Sequence, residues 1–317
     1  MMQEQKFLLQ RLDKGAMKVT ARPYAYRLSP FDADLQLMSQ YLSQAILLEV
    51  AVHPKPGLVT RLDNGSHTDM SLMTFMMSSA VLGKAFHCLQ DMGMLHTGSL
   101  AELFAEIRAY GVLAEQELLR VTKGVNTQRG ILFAGGIVSA AAGYALQKGL
   151  DRDALVPLVR EMTAGLVEKE LHHMDHENAT AGEKLYHRYG ITGIRGEVEK
   201  GFPSVMQQGL PSLQYAFSRG VSLNDALLHA LLAIMTVAED SNIIWRTDVG
   251  TLKEVQLCAR DILAKGSVFT ASGRAAITGA AKCFKERRIS PGGSADLLSI
   301  TIGFYLLDNK EFPTDIF

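Results

Sequence analysis

Cysteine is scarce in this chain of 317 residues: Cys88, Cys258 and Cys283 lie far apart in apolar helical contexts. Neither a disulfide framework nor a cysteine-based zinc site is expected, and a reducing cytosol fits. Charge of one sign is equally lacking. The 32 Lys and Arg against 33 Asp and Glu leave a formal net charge of -1, which supplies no field to attract nucleic acid. Any anion site must be local. The N-terminus "MMQEQKFLLQRLDKGAMKVTARPYAYRLSP" has no long apolar run followed by a small-residue cleavage site, so a secretory signal is not expected. The uncharged stretch "GILFAGGIVSAAAGYAL" at 130–146 is short for a membrane span and dominated by Gly and Ala, so it reads as a buried core helix. No membrane partner is expected, and the sequence assigns no oligomeric state.

Helical periodicity is what the chain does have. Hydrophobic residues at 47% and charged residues at 21% describe a globular protein long enough to bury a sizeable core. In "SPFDADLQLMSQYLSQAILLEV", Ser29 is placed as N-cap and Pro30 at the first helical position, with Leu35, Met38, Leu42, Ala45 and Ile46 on one face. Further helices are predicted near 69–91, 99–123, 128–148, 151–174, 180–189, 222–239, 249–265, 270–287 and 294–308, each ended by Gly, Pro or an Asn/Asp/Ser cluster. Strand-like alternation occurs only in "MKVTARPYAYRL" at 17–28. The expected fold is all-α, a multi-helix globular bundle around the small-residue helix at 130–146, where Gly and Ala let neighbouring helices approach closely. Residues 1–28 read as an N-terminal arm and 29–317 as a single all-α catalytic domain, because no repeat, linker or charge run marks a boundary.

The unusual composition falls between helices or at their first turns, where free N–H groups can hold phosphate. In "HPKPGLVTRLDNGSHTDM" at 53–70, two prolines stiffen a turn and Gly57 permits close approach, so that Lys55 and Arg61 can face a polyanion. A rigid interhelical connector is the plainer alternative. Asp69 falls in the first turn of the next helix, where it either ligates Mg²⁺ or favours the helix dipole. "GVNTQRG" at 124–130 sets Asn126 or Thr127 as a cap near Arg129, a geometry suited to phosphate or to capping alone. "SPGGSADLL" at 290–298 joins a glycine turn, Gly292 and Gly293, to Ser294 as N-cap and Asp296 in the first turn. Such a turn can form an anion-binding nest or simply start a helix. "EDSNIIWR" at 239–246 follows the apolar run "ALLHALLAIMTVA" and gathers Glu239, Asp240, Asn242 and Arg246. Those groups suit Mg²⁺ shared with substrate phosphates, or a solvated helix end. A fifth segment, "TAGEKLYHRYGITGIRGEVEKGFP" at 180–203, carries Glu183, Arg195 and Glu197. "EKELHHMDHEN" at 168–178 offers His172/His176 and His173/Glu177 at helical spacing, but it ends a helix, where histidines are favoured electrostatically, so a metal there is not the preferred reading.

Taken in order, "EV...PKPGLV", "NGSHTDM", "GVNT..G", "TAG", "GIRGE...GFP", "DSNI..R" and "SPGGSADLL" resemble the triphosphoribosyl-dephospho-coenzyme A synthase family, from about Glu49 to Leu306. That family makes the prosthetic-group precursor of citrate lyase and, in a sister branch, of malonate decarboxylase. Its usual Asp after "PKPGLV" is Thr60 here, and its usual "NTHKG" is "NTQRG", with Gln128 and Arg129. The resemblance implies transfer of the 5-triphosphoribosyl group of ATP to the 2'-hydroxyl of 3'-dephospho-coenzyme A with loss of adenine, Mg²⁺ as cofactor, and a product passed to an acyl-carrier-protein modification step. Inversion at the anomeric carbon implies one direct displacement without a glycosyl-enzyme. Such chemistry needs carboxylates near the anomeric carbon and several cations that grip a triphosphate without cleaving it. With the site so placed, Lys55, Gly57, Arg61, Asn126, Arg129, Arg195, Arg246, Gly292 and Gly293 are expected to contact phosphate or nucleotide. Asp69, Asp240 and Asp296 are expected to hold Mg²⁺, and Glu183 or Glu197 to act as base or charge stabiliser. A nucleotide or ADP-ribose glycohydrolase and a catalytically silent nucleotide-binding homologue are the competing readings. All of these require the segments from Lys55 to Asp296 to meet at one cavity.

Overall fold

The computed structural model describes residues 33–172 and 179–313, and among these all regular structure is helical. The strand-like stretch at 17–28, the arm, the Ser29–Pro30 helix start and most of the histidine-rich segment, residues 173–178, lie outside the described residues. After a short turn at Ala33–Gln36 come α1 (Met38–Ala51), α2 (Leu72–Leu95), α3 (Leu100–Val121) and α4 (Arg129–Lys148). Two short helices, α5 (Leu155–Met162) and α6 (Leu166–Leu171), lead to α7 (Ala181–Tyr189) and α8 (Gly193–Glu199). A π-helical turn at Val205–Gly209 runs into α9 (Leu210–Ser218), followed by α10 (Leu223–Met235) and α11 (Ser241–Arg246). The series closes with α12 (Val249–Ala264), α13 (Ala271–Arg287) and α14 (Gly292–Asn309).

Local chemistry explains most of these boundaries. Ser99 accepts from the Glu102 N–H at 3.3 Å while the Glu102 carboxylate accepts from the Ser99 N–H at 2.8 Å, a reciprocal cap that starts α3. Asp248 accepts from the Thr251 N–H at 2.8 Å to start α12. Gly149 and Gly190, both left-handed, end α4 and α7. The single helix expected at 151–174 is not formed: a 3-10 turn at Arg152–Ala154 precedes α5, and Gly165, at φ +75°, breaks the chain between α5 and α6. Apolar periodicity continues across that break because both short helices bury leucines: Leu155 and Leu158 of α5, and Leu166 and Leu171 of α6. The short helices α8, α9 and α11 have no counterpart among the predicted ones.

The small-residue helix is central, as its composition implies. Along α4, Gly, Ala and branched residues are buried on every side, with α1, α2, α3, α5 and α14 packed around it. α2 and α4 are long and apolar enough to cross a membrane by composition alone, but α4 is packed inside the bundle for most of its length. α2 and α4 cross so closely that a Cβ on Gly93 would sit 1.9 Å from the Ala140 carbonyl oxygen, and one on Gly143 would sit 1.9 Å from that of Gln90. Backbone therefore meets backbone at the crossing, and this tight contact holds the start of α4 in place relative to its neighbours.

Gly143→Ala tests this packing. On an open helix it would stabilise by up to about 1 kcal/mol through helix propensity; here the expected result is destabilisation by about 1–3 kcal/mol from overpacking, read from urea denaturation. A more stable variant would show that the helices can move apart freely.

Candidate active site

Five helices open on one cavity of about 360 Å³: the first turns of α4, α7, α8, α11 and α14 surround it, and one face of α3 closes it. Each helix brings the positive end of its dipole to the cavity, while first-turn N–H groups of α4, α7, α11 and α14 are already taken by Asn126, Thr180, Asp240 and Asp296. Segments 124–130, 180–203, 239–246 and 290–298 all reach its wall.

Arg108, Arg129 and Arg195 form its cationic side. Arg108 donates from Nε and Nη2 to Glu170, each at 3.1 Å, and its guanidinium lies 5.1 Å from the centre of the Phe133 ring. Arg195 Nε donates to the same Glu170 carboxylate at 2.8 Å, and Arg129 Nε lies 2.9 Å from Glu115. The carboxylates orient the guanidinium groups while leaving other N–H donors unspent. Arg108 and Glu170 were not singled out in the sequence; the available signal was Arg108, Gly111 and Glu115 recurring on one face of α3, with a glycine in mid-helix.

The same cavity is lined by Glu197, Glu239, Asp240 and Asp296. Asp240 is 2% exposed, yet all its bonds go to protein: Oδ1 accepts from the Asn242 and Ile243 N–H groups, and Oδ2 accepts from the Ser294 N–H at 2.8 Å and the Ser294 hydroxyl at 3.0 Å. It caps α11 and ties it to α14. Burial raises its pKa despite these donors. Gly292 and Gly293 permit the junction, since a Cβ at either would lie 2.8 Å from Asn242 Nδ2 or 3.1 Å from Asp240. Asp296 has fewer partners. Its carboxyl rests against Gly130, where a Cβ would come within 2.0 Å of Oδ2, and accepts from the Ile131 N–H. Burial, then the charges of Glu49 and Asp240, push its pKa well above the usual carboxylate value. Glu197 accepts from the Ser204 hydroxyl and from its N–H at 3.2 Å; burial and the neighbouring Glu239 raise its pKa, against those bonds and Lys200. Glu239 accepts from the Thr192 N–H and hydroxyl, both at 2.9 Å. The Thr127 hydroxyl, buried beside the cavity, has no hydrogen-bond partner among the described residues.

Asn126, Arg129, Arg195, Glu197, Asp240, Gly292, Gly293 and Asp296 thus share the cavity wall, whereas Lys55, Gly57, Arg61, Asp69, Glu183 and Arg246 do not. The loop at 53–70 is a clasp. Arg61 donates to the Ala51 carbonyl and to Asn224, Gly57 at φ +74° leaves no room for a Cβ against the Ile289 carbonyl, and the Ser66 hydroxyl donates to that same carbonyl at 2.6 Å. Lys55 is buried and donates to the Glu49 carboxylate at 2.5 Å and the Glu49 carbonyl at 2.6 Å. Burial lowers its pKa, against the pull of Glu49. Arg246 and Asp69 flank His67, at 3.3 and 3.7 Å, and His67 lies 2.8 Å from the Ser290 hydroxyl. Glu183 completes a reciprocal cap with Thr180, so its helix reaches the cavity through Thr180, Ala181 and Gly182 instead. Among the described residues no three His, Cys, Asp or Glu side chains form a ready metal cage, so Asp69, Asp240 and Asp296 are not a preassembled triad.

Of the departures from the family pattern, Arg129 lines the cavity, whereas Thr60 and Gln128 lie off its wall. The Thr60 hydroxyl accepts from the Leu62 and Asp63 N–H groups at 3.2 and 2.9 Å, the turn-closing job an Asp side chain would do. Gln128 is buried against α2 and accepts from the hydroxyls of Ser78 and Ser79.

Lys55→Met would leave Glu49 buried without a partner and lower stability by about 3–5 kcal/mol, and adding Glu49→Gln would restore most of it. Urea denaturation measures both. Unchanged stability with lost nucleotide affinity would instead make Lys55 a phosphate ligand.

Comparison with known proteins agrees with the motifs. The family model described as ATP:dephospho-CoA triphosphoribosyl transferase matches residues 36–313. A relative from Malonomonas rubra named probable 2-(5''-triphosphoribosyl)-3'-dephosphocoenzyme-A synthase is 43% identical over 280 residues, 87% of this chain and 89% of that protein. The 2-(5''-triphosphoribosyl)-3'-dephosphocoenzyme-A synthase of Pectobacterium atrosepticum is 38% identical over 307 residues, 96% of this chain and 97% of its own. A probable synthase of the same name from Lactiplantibacillus plantarum is 39% identical over 274 residues, covering 85% and 96%. No solved structure matches. With a family model spanning most of its length and relatives aligned nearly end to end, the chain belongs to the ATP:dephospho-CoA triphosphoribosyl transferase family.

Proposed function

We propose that this cavity transfers the 5-triphosphoribosyl group of ATP to the 2'-hydroxyl of 3'-dephospho-coenzyme A and releases adenine. The observation that carries the reading is a single cavity whose lining brings the guanidinium groups of Arg108, Arg129 and Arg195 together with the carboxyl groups of Glu197, Glu239, Asp240 and Asp296. Arg108, Arg129 and Arg195 hold the triphosphate intact. Carboxylates of the same lining face the sugar, whose anomeric carbon gains positive charge as the bond to the base breaks. Anchored by the Thr192 N–H and hydroxyl, Glu239 meets that charge with little reorganisation. The family description and the names of the aligned relatives support the substrates. The product suits a precursor that a later step attaches to an acyl carrier protein in a reducing cytosol, as in citrate lyase maturation.

Magnesium fits the acidic side. Asp296 has the least engaged carboxylate there and is destabilised by Glu49 and Asp240, a repulsion a divalent cation relieves. Asp296 would hold the ion and Asp240, its oxygens already committed, would act through water. When bound, the ion neutralises triphosphate charge.

Incubation with ATP, Mg²⁺ and 3'-dephospho-coenzyme A should add a triphosphoribosyl unit to the acceptor, seen by mass spectrometry, and release adenine only when the acceptor is present. Adenine release from ATP alone would favour the glycohydrolase reading; nucleotide binding without release would favour the silent homologue. Asp296→Asn should lower kcat/KM by about 10²-fold or more and abolish the rise in Tm that Mg²⁺ produces with ATP. Its own stability should move the other way. The raised pKa of Asp296 contributes stability that is complete below its ordinary value of 3.8 and lost as pH rises through the folded value. The Asn variant should therefore have the higher Tm at mildly alkaline pH, and the gap should close in acid.

A further inference from the structure

Beside the main cavity lies a second one of about 220 Å³, reached across Gly193, Glu197 and Glu239, which line both. Its other walls come from the loop after α8 and the π-helical turn at Val205–Gly209, with Ser204, Gln207 and Gln208 supplying polar groups. The two cavities differ in charge. The main one carries three arginines, while among the described residues the second has no arginine in its wall and a single cation, the exposed Lys200. Amides and hydroxyls suit a neutral heterocycle with donors and acceptors on its edge, and not a phosphate. Neither Gln207 nor Gln208 makes a hydrogen bond to another described residue, so both amides remain available to a guest. The turn that carries them is tightly seated: a Cβ on Gly209 would lie 2.3 Å from the Thr301 hydroxyl of α14. π-Helical turns are uncommon and concentrate at functional sites.

We propose that the second cavity receives the adenine of ATP, and that Glu197, on the wall between the two cavities, protonates adenine as it leaves. The proposal rests on the transferase reading above and goes further by placing the base and naming the acid. A nucleotide whose triphosphate lies among the arginines and whose base lies beside Gln207 and Gln208 has its N-glycosidic bond at the shared wall. Cleavage sends the bond's electron pair to the base, and Glu197 supplies a proton to a ring nitrogen, so adenine departs neutral. The acceptor hydroxyl forms the new C–O bond at the anomeric carbon, its proton passes to solvent, and Glu197 regains a proton from solvent. Charge and atoms balance. Glu197 suits the role because burial and Glu239 favour its neutral form, with the Ser204 bonds and Lys200 opposing.

Two measurements on the full chain test this. The first compares ATP with a donor that carries the same triphosphoribosyl group on p-nitrophenol, a leaving group that departs without protonation. Glu197→Gln should slow transfer from ATP by about 10²–10⁴-fold and leave transfer from the p-nitrophenyl donor nearly unchanged, which also shows the variant is folded. Equal loss with both donors would overturn Glu197 as the acid. The second uses free adenine and GTP. Gln207→Leu/Gln208→Leu should weaken adenine binding by calorimetry and shrink the preference for ATP over GTP, whereas unchanged values would overturn the base pocket. If the wild-type chain transfers triphosphoribose normally while either test fails, only this assignment falls; if it transfers none from ATP, the transferase reading falls with it.

Discussion

The buried carboxylate of Asp240 is the interaction on which the site depends. Its two oxygens collect N–H donors from the first turn of α11 and both the N–H and hydroxyl of Ser294 in the first turn of α14. Helices that begin at the same point repel each other through the positive ends of their dipoles, and a shared anion is the simplest way to join them. The desolvation cost appears as the raised pKa of Asp240, and the return is a fixed junction beside the cavity. Gly292 and Gly293 follow from the same constraint, because the approach that lets Ser294 reach Asp240 leaves no space for side chains next to Asn242.

The electrostatic layout is arranged in depth around that junction. Asp296 lines the cavity together with Asp240, and the charge of Glu49, itself bonded to Lys55, acts on Asp296 as well. A buried lysine bonded to one carboxylate limits the negative charge gathered here without presenting its own ammonium to the cavity. The invariable cost of such an arrangement is stability, and functional sites commonly bear it.

Much of the fold was legible from local chemistry. The Ser99–Glu102 and Thr180–Glu183 pairs mark helix starts, and the glycines and alanines of α4 announced a helix that others approach closely. Four of the five unusual segments do converge on the cavity. The fifth, 53–70, was misplaced. Whether Lys55 or Arg61 faces a ligand or the protein depends on partners that local sequence does not show, such as Asn224, or on a Glu49 that reads as part of an ordinary helix. Arg108 escaped for the opposite reason: an arginine on an amphipathic helix looks like any solvated charge until its Phe133 and Glu170 neighbours are known. The break at Gly165 was hidden because one glycine within an apolar periodic run does not show which conformation it adopts.

Arg108 and Arg195 share a single partner, Glu170. Two monovalent cations facing one anion leave a surplus of positive charge that no side-chain rearrangement between them can cancel. A guest with one negative charge finds guanidinium groups already partly satisfied and gains little by displacing that carboxylate. Under the proposed function, a polyphosphate would occupy the donors that Glu170 leaves vacant on both arginines at once, and the pair would favour nucleotides by the number of phosphates they carry.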